Sequence, residues 1–319
     1  MTSTPRQPAV EGLWLRPVAG DGPREARWGH PDGLQLGLHP LPGPRGLLRV
    51  YTPYLGHPRD RLLNFVAVEP IPAGATERGY SELERSRLDD RNGLRFWSMD
   101  DPTDAAPRDE LAPSRGAVTL VDGVEHLLVH IGVERFANGA DVRLTATFRA
   151  DRPHEVALAG WARPGSVALD ACILSATMGN WSRLRVLRLA GRDVTAGELW
   201  PNYRGVHFAE HASFPLEELE RDGDAAVVRV EPDELHPSRA THAAGTMEHW
   251  GYVGERGVQE WRAENPHPQL RAQVNGRHTY WMSEAAIPGG VAFENVELVE
   301  PFRQGASFTF HVEPLDDAR

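Results

Sequence analysis

The sequence predicts an all-β protein, a large antiparallel two-sheet β-sandwich with few short helices. Three observations lead there. Short apolar-alternating runs recur from one end of the chain to the other, separated by Gly, Pro, Asp and Asn clusters. Helical patterning is confined to two short pieces, 81–87 and 216–221. The candidate strands, roughly fourteen, exceed the ten or so that a twisted open sheet usually holds, so two packed sheets are expected.

In order, the candidate strands are 12–18, 34–39, 46–52, 62–68, 93–98, 123–133 and 141–150. The series continues with 155–161, 167–177, 183–189, 225–230, 271–283, 291–298 and 307–312. Strand 141–150 carries the pattern openly: Val142, Leu144, Ala146 and Phe148 alternate with Arg143, Thr145, Thr147 and Arg149. One of its faces is therefore buried and the other wet. Runs 127–131 and 171–176 are more continuously apolar, as in strands covered on both faces. No repeat or heptad interrupts the series, and the chain reads as one domain over 1–319. Two long loops are expected, 100–113 and 232–268, the second without a strand but dense in polar and aromatic residues.

Composition excludes several chemistries. All 34 basic residues are arginine, so a Schiff-base lysine and a Walker-type phosphate loop are both ruled out. The single cysteine, Cys172, forbids an internal disulfide and a Cys-based zinc site, and its apolar surroundings mark it as buried and unreactive. A net charge of −11 without a basic run argues against nucleic acid as a partner. No apolar stretch approaches the roughly 20 residues of a membrane helix, and the N-terminus lacks the layout of a secretory signal. The expected setting is the cytoplasm, with no membrane partner and an oligomeric state left open. Neither a G-x-S-x-G elbow nor a G-x-G-x-x-G turn occurs, so serine-hydrolase and nucleotide-cofactor readings find no motif.

Functional residue types concentrate after position 180. Segment 199–211 supplies Trp200, Asn202, Tyr203, Arg204, His207, Glu210 and His211; segment 248–262 supplies His249, Trp250, Tyr252, Glu255, Gln259, Trp261 and Arg262. Segment 275–284 adds Arg277, His278, Tyr280, Trp281 and Glu284. These windows hold four of the nine tryptophans and three of the six tyrosines. Aromatic faces beside amides, guanidiniums and carboxylates suit a sugar, whose ring stacks while its hydroxyls need donors and acceptors. The competing reading puts the tryptophans in the core and their polar neighbours in water. His207 and His211, four apart, share a face on helix or strand and admit two uses. One is a metal shell completed by Glu210 or His249, but the HExxH order is broken; the other is acid–base work. No resident cofactor is expected, with a metal ion as the minor alternative. Among carboxylates, Glu294 and Glu297 stand three apart, so in a continuous strand they face opposite sides and do not pair.

The strand-rich chain and its C-terminal stretch GGVAFENVELVEPFRQGASFTFHV resemble the galactose-mutarotase-like β-supersandwich proteins. That resemblance implies a carbohydrate-active protein of this fold, with Glu294 at the position of the catalytic base. The family's N-x-T-x-H segment is absent. The leading expectation is cleavage of a glycosidic bond in an oligo- or polysaccharide by β-elimination at a uronate. Tyr203, His207, His211, His249, Tyr252 and Glu294 are the candidate catalytic residues. Arg204, Trp250, Glu255, Trp261, Arg262, Tyr280 and Trp281 are the candidate substrate-binding ones. A hydrolase with a carboxylate pair, a sugar mutarotase or epimerase, and a non-catalytic glycan-binding sandwich are the alternatives.

Overall fold

The computed structural model describes residues 9–18, 26–38, 44–56, 63–104, 106–107, 112–177, 183–233, 254–279, 286–287 and 289–315. Strands account for 53% and helix for 4%, so the architecture is all-β. Strands β1 to β6 are Ala9–Glu11, Trp14–Arg16, Ala26–Gly29, Gln35–Leu38, Leu47–Tyr51 and Asn64–Pro72; β7 to β12 are Phe96–Met99, Ala117–Val121, Val124–Val133, Val142–Arg149, Arg152–Ala162 and Leu169–Thr177. Strands β13 to β17 are Leu184–Leu189, Arg192–Thr195, Ala212–Pro215, Glu220–Asp222 and Ala225–Pro232, and β18 to β21 are Gly257–Ala263, Arg271–Arg277, Ala292–Val299 and Ser307–Pro314. They form two antiparallel sheets of ten and eleven strands. No helix among the described residues is long and apolar enough to cross a membrane.

The sequence reads as one domain, while the chain's contacts cluster into two compact units. The first is Met1–Tyr51, Val66–Ile173 and Phe302–Ser307; the second is Thr52–Phe65, Leu174–Pro301 and Phe308–Arg319. In the first unit, β1 to β5 run as neighbours in sequence order in one sheet, and β11-β10-β9-β7 lie in the other with β8 on β9. The β8–β9 hairpin turns at Asp122 and Gly123, both at positive φ, which is why a glycine stands there. The core side of this unit holds Trp28, Leu36, Val50, Ile131, Leu144, Phe148 and Leu158, all at most 2% exposed. Strand β10 alternates buried and half-buried along its whole length, as its sequence alternation requires.

In the second unit, β12 is followed by β20, β19 and β15 in one sheet, and β14-β13-β17-β18-β21 form the other with β16 on β17. Two expectations fail here and one fails in the first unit. Strand β18 lies inside 232–268, where no strand was expected; residues 234–253 are outside the described ones. Its polar residues disguised it: Glu260 lies opposite Arg229 and accepts from it at 2.9 Å, so charges satisfied across the pair replace the usual apolar run. The expected helix at 216–221 is a 3-10 turn, Leu216–Glu218, running into β16. Residues 81–87 form turns held by Gly93 N–H to the Glu84 carbonyl and Ser86 N–H to the Arg91 carbonyl. Among the described residues the α-helix is a single turn, α1 (Ala196–Leu199), started by a capping box between Thr195 and Glu198.

Candidate functional site

In the second unit β12, β20, β19 and β15 carry a shared polar face. Register places its residues. Gln273 of β19 lies opposite Glu297 of β20 and opposite Ser213 of β15, so the three share a face. Steps of two keep Asn275 and Arg277 on that face, and His211 joins it from just before β15. Between Val274↔Val296 and Gly276↔Phe293 the register slips, with three steps on β20 against two on β19. This β-bulge at Glu294–Asn295 shifts the alternation by one. Arg277 lies opposite Ala292, and Glu294, two residues on, faces the same way as Glu297. The expectation that the two glutamates face opposite sides is therefore corrected: it assumed a continuous strand, and the strand is bulged.

Contacts confirm the shared face. His211 Nε2 lies 3.7 Å from Glu297 and 3.3 Å from the Asn275 side-chain nitrogen. The Asn275 amide is oriented by its other end, where Oδ1 accepts the Asn295 backbone N–H at 3.1 Å. Its NH2 therefore donates to His211 Nε2, and the neutral ring carries its proton on Nδ1. Arg277 stands 3.8 Å from Glu294, its guanidinium 5.3 Å from the centre of the Phe208 ring. Glu294 is 1% exposed and Glu297 0%. Burial pushes the Glu294 carboxyl up to about 7, against the pull of Arg277. On the same face Ser175 Oγ and Asn295 Oδ1 are buried with no hydrogen-bond partner among the described residues. Sheet faces this polar and this buried are costly unless something fills their bonding capacity.

The other sequence candidates are placed as follows. Tyr203, Arg204 and His207 follow α1 in a loop tied to itself: the Tyr203 hydroxyl donates to the His207 carbonyl at 2.7 Å, and Arg204 donates to the Tyr203 carbonyl at 2.7 Å. The His207 side chain is exposed. Trp200 closes the loop, its indole N–H on the Glu210 carbonyl at 3.1 Å and its ring edge-on to Phe293. Glu255 is exposed, with its backbone N–H on the Leu55 carbonyl. Trp261 is a core residue and not a sugar platform: it is 1% exposed, packs on Phe310 at 4.9 Å and donates to the Val296 carbonyl at 3.0 Å. Arg262, next along β18, points to the opposite face, into a depression of about 490 Å³ lined by charges, and pairs there with Asp222 and Glu264. Adjacent strand residues cannot line one cleft. His249, Trp250, Tyr252, Tyr280 and Trp281 lie outside the described residues. Asn275, Arg277, Glu297 and Ser175 complete the face. Their signal was a polar alternation, Gln273, Asn275 and Arg277, in a strand too apolar on its other side to be a surface loop.

Among the described residues no group of three or more His, Cys, Asp or Glu is placed to hold a metal ion. Cys172, expected to be buried, is half-buried, and desolvation and Glu69 push its thiol up to about 12. No family model matches the chain. No curated protein matches it either. Among solved structures, one titled "Crystal Structure Analysis of HI1317" is similar to it at 9% identity and a TM-score of 0.34, covering 94% of this chain and 98% of that one. A likeness of that size carries no argument about fold or function.

Proposed function

We propose that this chain is a carbohydrate-active enzyme that moves protons at the anomeric centre of a monosaccharide, a mutarotase or epimerase. The observation that carries the reading is the bulge in β20, which gathers the buried Glu294, Glu297, Asn275 and Arg277 on one polar face beside the exposed His211. In this reading the Glu294 carboxylate takes the proton of the anomeric hydroxyl, while the neutral His211 ring donates its Nδ1–H as a hydrogen bond to the ring oxygen, which draws its proton from water. The ring C–O bond breaks as the carbonyl forms, and reclosure on the other face reverses both transfers. A base with an apparent value near 7 is matched to a hydroxyl-to-carbonyl step near neutral pH. Arg277 orients Glu294, and Asn275 fixes the histidine tautomer.

Elimination on a uronate glycan has less behind it. Of its tyrosine candidates, Tyr203 has its hydroxyl engaged with a backbone carbonyl and Tyr252 lies outside the described residues; of its arginines, Arg204 donates to the Tyr203 carbonyl and Arg262 is bound on another sheet face. The bulge gives a carboxylate-pair hydrolase one observation of its own, since Glu294 and Glu297 now share a face. The cytoplasm is the location that goes with this proposal, a lone half-buried thiol needing no oxidising compartment. The test is anomer exchange across a panel of aldoses, followed by NMR, with oligosaccharides incubated in parallel. Exchange above the spontaneous rate, lost in Glu294→Gln, is the expected result. Cleavage with a near-ultraviolet chromophore would replace the proposal by elimination, and cleavage without one by hydrolysis.

A further inference from the structure

We infer that β8 is a dimerisation strand: two copies of this chain join by pairing β8 with β8, antiparallel, about a twofold axis through Thr119. β8 (Ala117–Val121) pairs with β9 and with no other strand among the described residues, so its far side is a sheet edge. All five of its residues are exposed, Val118 at 40%, Leu120 at 70% and Val121 at 44%. The run AVTLV carries no charge, no proline and no bulge, the devices that ordinarily keep an edge from pairing. Val118 and Leu120 lie on the core side of the sheet. Their cross-strand partners are Leu127, 0% exposed, and Glu125, which accepts the Trp14 indole N–H from β2. Two apolar side chains on the core side thus stand open to water at the end of the sheet.

Hydrogen bonding fixes where a second strand adds. The loop from β8 to β9 is Asp122 and Gly123, both at positive φ, so Val121 and Val124 close it as a bonded pair. Alternation then turns the backbone groups of Ala117, Thr119 and Val121 toward β9 and those of Val118 and Leu120 outward. Opposed residues share a face, so a twofold axis normal to the sheet must pass through a residue that lies opposite itself. Centred on Thr119, Val118 exchanges both bonds with the partner's Leu120, Leu120 does the same with the partner's Val118, and every outward group of the strand is used. Centred on Val118, Leu120 meets Gly116 of the partner subunit, and the Gly116 carbonyl is already taken by Arg16 at 2.6 Å. Centred on Leu120, Val118 meets the turn residue Asp122. The Thr119 register also opposes apolar to apolar at each step and sets threonine on threonine at the axis.

Charge at the two ends agrees with that register. It brings the partner's Asp122 opposite Gly116, where the Arg16 guanidinium sits on the carbonyl. Arg16 and Arg115 share the single carboxylate of Glu11 there. Arg16 is drawn below its ordinary value by burial and then by Arg115, so this corner is short of negative charge. An arriving aspartate supplies it, once at each end of the twofold pair. A pair of five-residue strands is a small contact beside the roughly 1,200 Å² of a standard interface, so the dimer exchanges with single chains.

The experiment uses the full chain. Sedimentation of wild type is expected to move from one chain to two as concentration rises. Thr119→Arg sets two guanidiniums against each other on the axis and leaves an exposed position of the hairpin otherwise intact; it is expected to weaken the dimer at least about tenfold. Cysteine scanning reads the register. A residue opposite itself in a non-bonded pair has its Cα about 4.5 Å from its copy, within the span of a disulfide. Thr119→Cys is therefore expected to give a covalent dimer in air. Ala117→Cys and Val121→Cys are expected to cross-link when mixed and not singly, with wild type, whose one thiol is Cys172, as the blank. Wild type that stays a single chain at every concentration would overturn the proposal, whatever the variants do. So would a dimer that Thr119→Arg leaves at full strength, which would place the contact on another surface.

Discussion

Two buried glutamates, one in each unit, have nearly the same exposure and opposite surroundings. Glu134 in the first unit is 5% exposed and accepts three donors: the Ser86 hydroxyl at 2.7 Å, the Arg87 N–H at 2.6 Å and the Arg95 N–H at 3.1 Å. Glu294 in the second is 1% exposed and faces the Arg277 guanidinium at 3.8 Å, beyond hydrogen-bond length. Glu134 is a clasp that closes a turn onto β9. At Glu294 burial outweighs the pull of Arg277, so its charge is costly and its proton is held up to about 7. Burial alone therefore does not mark a functional carboxylate. Glu134 ties the Ser86 hydroxyl and two backbone N–H groups to one carboxylate, while Glu294 stands beside the Arg277 guanidinium on a polar sheet face.

Exchanging each carboxylate for its amide tests that division most severely. Glu294→Gln keeps the shape and removes the base, so turnover in the proposed reaction should fall by about 10²–10⁴ while the protein still folds. Glu134→Gln should do the reverse. Its NH2 would be turned against donors that need an acceptor, and a loss of ~2–4 kcal/mol of stability is expected with turnover per folded molecule unchanged. Denaturant melts and initial rates on both variants suffice. Loss of turnover in Glu134→Gln at full folding would break the comparison.

The next effect is on stability against pH. Glu294 has its folded value raised above the 4.5 of an ordinary glutamate, so its contribution is fully present below about 4.5. That contribution is lost as pH rises through about 7, in total ~3 kcal/mol for a shift of this size. Glu82 in the first unit is also pushed up to about 7, by burial and by Glu84, and adds a slope of the same sign. The difference between wild type and Glu294→Gln isolates the one of interest. Across pH 4.5 to 7 the variant should lose less stability than wild type, and parallel curves would mean that burial does not raise the Glu294 carboxyl.

The sheets were legible in the sequence because alternation is a local signal: the run Val142 to Arg149 states its own face pattern. Strand β18 was not, because Glu260 and Arg262 are made compatible with a strand only by Arg229 and Asp222, partners distant in sequence. The site was partly legible. His211 and Glu294 were picked out by residue type, whereas Trp261 was misplaced because an aromatic beside charges reads alike in a cleft and in a core. Glu297 was set aside by a correct rule applied to a strand whose bulge only the register reveals. Face assignments from sequence hold until a bulge, and nothing in the run FENVEL announces one.

The smallest effect concerns a residue with no acid–base role. Asn275 touches both halves of the site: Oδ1 holds the Asn295 N–H at the bulge, and Nδ2 donates to His211 Nε2. Replacing it with Ala removes both bonds, with an expected loss of about 1 kcal/mol in stability. The kinetic consequence is separate. Without the amide donor, Nε2 is free to carry a proton toward Glu297, 3.7 Å away, and the tautomer with its proton on Nδ1 is no longer enforced. Turnover should fall roughly tenfold at unchanged KM, the scale of one hydrogen bond in a positioned acid. Nitrogen chemical shifts of His211 should report the change of tautomer. Asn275→Asp then sharpens the contrast: its carboxylate accepts the Asn295 N–H as before but cannot donate to the histidine. Stability held by Asp with turnover still lost would place Asn275 as a positioning residue. Turnover restored by Asp would reduce it to a clasp of the same kind as Glu134.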